Sequence, residues 1–97
     1  MKLSLLTAFL LPIAAQACAQ YKFCHCYDSN GVPNDRATAQ VCSGLTGIAS
    51  MVGVSKDSDG ARECAAAKDK TLGNCSFRQW CKIAGATGAD SSCRMKD

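Results

Sequence analysis

The sequence predicts an α+β fold of the split βαβ kind, with elements in the order β-α-β-β-α-β. Three observations carry this. Residues 21–27, YKFCHCY, alternate with a period of two. Two runs, 36–43 and 76–84, place apolar residues at helical spacing, each flanked by strand-like segments. Eight cysteines fall in a chain of 97 residues, which holds one small domain.

The first residues read as a leader rather than as part of that domain. Lys2 gives a positive start, Leu3 to Ala14 form an apolar run, and Ala15-Gln16-Ala17 fits the A-x-A cleavage pattern. A membrane span needs roughly 20 apolar residues, so this run is too short to anchor the chain. No later segment is apolar enough to span. Residues 1–17 are therefore expected to be a signal peptide and 18–97 a single disulfide-rich domain of a secreted, extracellular protein. Cleavage at Ala17-Cys18-Ala19 would leave seven cysteines, and an odd thiol is a liability in an oxidising compartment. A lipidated Cys18 would suit the small residue before it, but Gln16 and the lack of a nearby Leu argue against it.

Without Lys2 the chain has ten basic and eight acidic residues, a net charge of +2. That is too mild and too scattered to imply a nucleic-acid or membrane partner. A domain of this size buries only about 60% of its unfolded surface and is marginal without staples. Each native disulfide contributes about 2–4 kcal/mol.

The first strand covers 21–27, with Cys24 and Cys26 on one face and Phe23, His25 and Tyr27 on the other. Asp28-Ser29-Asn30-Gly31 ends it in a turn. Asn34 or Asp35 then caps a helix from Arg36 to about Ser43, with Thr38, Val41, Cys42 and Leu45 on one face and Gly44 as its stop. Ile48 to Ser55 reads as a second strand, weakened by Gly47 and Gly53, and Lys56 to Gly60 as a turn. Ala61 to Ala67, ARECAAA, is helical by composition, but its place after a turn suits a third strand. Thr71 to Asn74 reads as a loop. Asn74 or Ser76 caps the second helix, whose stripe of Phe77, Trp80, Cys81 and Ala84 belongs in the core, and Gly85 ends it. Ala86 to Asp90 is a loop, and Ser91 to Lys96 the last strand.

Little in this chain points to catalysis. His25 is the only histidine, and on a strand it points away from both neighbouring cysteines, so it cannot activate either. It reads as an exposed strand histidine. Zinc would need four convergent ligands with wider spacing than C-x-C, and a redox pair would need C-x-x-C at a helix N-terminus. The Asp28 and Asp57 turns start like calcium loops, but their twelfth positions are Ala39 and Lys68 where a Glu is needed. They read as Asx turns. No cofactor, metal or enzymatic activity is expected.

Cys18, Cys24, Cys26, Cys42, Cys64, Cys75, Cys81 and Cys93 are all expected in disulfides. Cys24 and Cys26 lie parallel on one strand, roughly 6.5–7 Å apart, and cannot pair with each other. A nested pairing is expected: Cys18–Cys93, Cys24–Cys81, Cys26–Cys64 and Cys42–Cys75.

Cys24-His25-Cys26, Gly31, Thr38 and Cys42, Cys64, Phe77 and Cys81, and Cys93 form an ordered set across the domain. This set resembles small secreted fungal effectors with the killer-toxin-like α/β-sandwich fold. Many members of that group carry Cys-Cys pairs on their helices, where this chain has Val41-Cys42 and Trp80-Cys81. The resemblance implies a four-stranded antiparallel sheet with both helices on one face. The far face would then carry Phe23, His25 and Tyr27, a candidate interaction surface unless a loop or a second copy covers it. The function it implies is that of a secreted, virulence-associated effector, non-enzymatic, binding a target in the host apoplast or in competition with microbes. A killer-type toxin or antimicrobial is the alternative, although no cationic amphipathic helix suited to membranes is present. A protease inhibitor with Ala86 to Ser92 as its bait is a third reading.

Overall fold

The first strand forms where the alternating run predicts it. In a computed structural model that describes residues 18–54 and 60–97, β1 spans Gln20–Cys26 and buries Cys24, His25 and Cys26. The leader at 1–17 and most of the Lys56–Gly60 turn lie outside the described residues. The 28–31 turn is closed by the backbone, Gly31 N–H donating to the Asp28 carbonyl; the Asx bond is made by Asn30, whose Oδ1 accepts from Val32 N–H, while the Asp28 carboxylate is engaged elsewhere.

Helix α1, Asp35–Ser43, has Asn34 as its N-cap, whose side chain accepts from Ala37 N–H at 2.9 Å. Thr38 explains why a β-branched polar residue sits on its buried face. Its hydroxyl accepts from Cys26 N–H at 2.8 Å and donates to the Asn34 carbonyl at 3.0 Å. The last backbone donor of β1 is thereby satisfied by the helix that packs on it.

Strands β2, Ala49–Val54, and β3, Arg62–Ala66, pair antiparallel with a bulge between Val52 and Val54. The 61–67 run is thus a strand despite its alanines, because its edge is needed on both sides: β3 pairs with β2 and with β1. Where a loop was expected at 71–74, Leu72–Gly73 forms a two-residue strand, β4. It pairs with Gln20 and Tyr21 and continues the edge of β1 that β3 occupies at Phe23 and Cys24. Helix α2, Asn74–Ile83, follows without a break. Neither expected cap operates there. Gly73 is the N-cap residue with no side-chain bond, and Asn74 Oδ1 instead accepts from Ala19 N–H at 2.8 Å. Gly85, at φ +98°, ends the helix in a conformation open mainly to glycine. Strand β5, Ser91–Lys96, pairs along the free edge of β1.

The sheet order is β2-β3-β1-β5, antiparallel throughout, with β4 extending the β3 position. β1 and β2 therefore run parallel, split by β3, and this is the split βαβ arrangement. Both helices lie on one face. α1 packs on β1, β2 and β3, α2 on β1, β4 and β5, and the helices touch each other. Between the layers lies a core around Cys24, Val41, Cys64, Leu72 and Phe77.

All eight cysteines are bonded, but as Cys18–Cys75, Cys24–Cys93, Cys26–Cys81 and Cys42–Cys64. The nested pairing is thus corrected at every bridge. Register is the reason. Cys24 stands directly opposite Cys93 on β5 and opposite Cys64 on β3. Cys93 takes Cys24 across the strand pair, at a Cα separation of 4.0 Å. Cys64 turns up into the helix layer and meets Cys42. Cys26, at the end of β1, reaches Cys81 on α2. Cys18 is held beside the start of α2 by the mutual bonds of Ala19 and Asn74, so Cys75 is its neighbour.

Candidate functional site

The face of β1 away from the helices holds Phe23 and His25, and it is not open. His25 is only 4% exposed, which corrects the exposed histidine expected from alternation alone. It lies opposite Ser92 on β5, and the β3 register places Glu63 on its other side. Arg94 closes this face. From β5 its side chain crosses the Phe23 ring, 4.2 Å from the centroid, and reaches Glu63 on β3. Nε and Nη2 donate to the two carboxylate oxygens at 2.9 and 2.8 Å, a bidentate pair. Glu63 is 2% exposed, and Phe23 is half-buried beneath the guanidinium.

Tyr27 is half-buried as well. Its carbonyl accepts from Gly88 N–H at 2.9 Å, and a Cβ on Gly88 would stand 2.4 Å from that oxygen and 2.5 Å from the ring. Only glycine permits this approach. Asp28 fixes the same loop, its Oδ1 accepting from Thr87 N–H at 3.0 Å and from the Asn34 amide at 3.1 Å. These bonds, with the nearby Arg36 charge, hold the Asp28 carboxyl below the usual aspartate range despite the opposing effect of burial. The 86–90 loop therefore lies down on Tyr27, with Ala86 and Gly88 buried.

The open apolar surface is on the helix layer. Trp80, expected in the core, is 38% exposed, while Phe77 occupies the core position with its ring edge-on to the indole at 6.4 Å. The contact between α1 and α2 explains the difference: Phe77, Cys81 and Ala84 face the sheet, and Trp80 and Ile83 fall on the flank beside α1. There a groove of about 310 Å³ is lined by Gln40, Val41, Gly44, Leu45, Trp80, Ile83 and Ala84. Ile83 is 80% exposed. Hydrophobic spacing gave no sign of Ile83, since its position lies outside the core stripe.

Among the described residues, no group of three or more His, Cys, Asp or Glu side chains converges as metal ligands would. No described helix is long and apolar enough to cross a membrane. No family model matches the chain, and no match to it is found among curated proteins or solved structures.

Proposed function

We propose that this is a secreted, cysteine-rich effector that acts without catalysis, by binding a host or competitor target through a rigid surface. The observation that carries this reading is the solvent-open groove of Trp80, Ile83 and Leu45 on a frame held by four disulfides. A frame of this kind keeps contact residues in place, so little ordering entropy is lost on binding. The non-enzymatic reading is supported by His25, the one histidine of the chain, which lies between strands where no substrate reaches it. The leader at 1–17 and the residue pattern shared with killer-toxin-like fungal effectors support secretion and the effector role. The bait segment Ala86 to Ser92, seated on Tyr27 at Gly88 and paired in β5 from Ser91, favours this over a protease inhibitor, whose bait must enter an active site.

Infiltration of purified protein into leaves, beside growth assays on fungal and bacterial cultures, tests the reading. The expected result is a response in one of these settings that Ile83→Ser abolishes while the melting temperature stays unchanged. Rapid leakage of dye from target cells would favour a membrane-active toxin instead. A response fully retained by Ile83→Ser would remove the groove from the function.

A further inference from the structure

We infer that the groove between α1 and α2, together with the basic flank of α2, receives an acidic amphipathic α-helix of a partner protein. This rests on the binding reading above and names the partner's chemistry.

The apolar half of the site is the groove itself, where Gln40 is the one polar side chain in the lining. The charged half follows from the sequence of α2. Arg78 and Lys82 stand four residues apart, hence on one face, and the helix carries no acidic residue. Both line a second depression with Gln79, Ile83 and Ala89. Ile83 is shared by the two depressions, so the apolar groove and the basic flank meet along one ridge. Among the described residues, neither Arg78 nor Lys82 forms an ion pair. The ridge therefore presents two cations held in no ion pair beside exposed apolar surface.

A helix is about 10–12 Å across with its side chains. It can set an apolar stripe into the groove and hold Asp or Glu over Arg78 and Lys82, as in other helix-in-groove complexes. A small apolar ligand fits less well. Ligand pockets bury about 70–90% of their occupant, whereas this groove is open to solvent and the cations stand on the far side of the ridge.

The experiment uses the secreted protein and a designed peptide of about 15–20 residues, with a leucine stripe flanked by glutamates. A second peptide carries lysines in place of the glutamates. Trp80 is the only tryptophan, so its emission reports on the groove alone. The acidic peptide should shift that emission to the blue with a saturable curve. Amide shifts should fall within 40–45 and 78–84. The Lys82→Glu and Arg78→Glu double variant, and separately Ile83→Ser, should weaken binding at least about tenfold with unchanged melts. The lysine peptide should also bind at least about tenfold more weakly. Equal affinity for both peptides, amide shifts elsewhere, or no binding would overturn the proposal. So would a blue shift with anionic phosphatidylglycerol vesicles but not with peptide, which would assign the site to a membrane surface. Concentration-dependent dimerisation through the same amides would give the groove to a second copy and overturn it too. If the peptide fails but Ile83→Ser still abolishes the leaf or culture response, the binding reading stands and the partner class falls. If the peptide fails and Ile83→Ser is silent in both assays, both fall.

Discussion

Glu63 has almost no contact with water, and its charge is tolerated because Arg94 answers both carboxylate oxygens. Removing one partner of such a pair strands a buried charge and costs about 3–5 kcal/mol. Arg94→Ala should therefore lower stability by about that amount in urea melts, and adding Glu63→Leu should restore part of it, since an apolar residue needs no partner. A loss below about 1 kcal/mol would mean that the pair behaves like an exposed one. Asp28 offers a second test, through pH. Its folded-state carboxyl titrates below the unfolded value, so its contribution is full above the unfolded aspartate value, about 4. That contribution is lost as pH falls through the lower folded value. In Asp28→Ala, stability should fall less steeply below about pH 4, read by thermal melts across pH. An acid limb identical to the parent would show that the Thr87 and Asn34 bonds do not discriminate between the protonation states. These residues also mark how far the sequence is legible. Alternation placed His25 on the face opposite the cysteines but could not show that Arg94 closes that face. A lone Glu in ARECAAA and a lone Arg in SSCRMK were visible, yet only the strand register brings them together across Phe23.

At the scale of elements, the split βαβ order was legible because both helices and the first strand have strong periodicity and clear stops. β4 was not, since two residues have no period, and its pairing with Gln20 and Tyr21 is set by where β3 delivers the chain. The bridges show the same division. That every cysteine pairs follows from parity, but their partners follow from register. Those partners are unequal in what they support. Cys42 and Cys64 are buried between α1 and β3, whereas Cys18 is exposed at the rim. With the other bridges intact, Cys18–Cys75 closes only the roughly 15 residues between it and Cys26–Cys81. Loop entropy then gives both bridges about 3 kcal/mol. The difference lies in packing, since an alanine pair at 42 and 64 also leaves a cavity between the layers. The double variant Cys42→Ala with Cys64→Ala should lose more stability than Cys18→Ala with Cys75→Ala, by about 1–2 kcal/mol in denaturant melts. Equal losses would show that the layers close over the site.

The whole molecule leans on its bridges because its described core is built from small residues. Of thirteen buried apolar residues, five are cysteine and five alanine, leaving Val41, Leu72 and Phe77 as the larger side chains. Full burial of such a side chain is worth about 1.5–3 kcal/mol. Three of them contribute less than four disulfides at about 2–4 kcal/mol each. The cysteines act twice, as cross-links and as the apolar filling between sheet and helices, with Cys24, Cys26 and Cys64 wholly enclosed. In Cys26–Cys81 and Cys42–Cys64 both partners are buried, so these two bridges meet a reductant only when the layers part, and their reduction should follow global opening rather than local fraying. Complete reduction and alkylation should then abolish the cooperative thermal transition, because the core loses its links and must also accommodate polar adducts. The measurement is a circular-dichroism melt of the oxidised and the reduced, alkylated protein side by side. The oxidised protein should melt cooperatively, and the reduced protein should show no transition and an unfolded spectrum at 25 °C, about the reference temperature for stability. A reduced protein that still melts cooperatively within the usual mesophile range of about 45–65 °C would mean that packing alone specifies the two layers. The rigid-frame argument for the groove would then no longer depend on the disulfides.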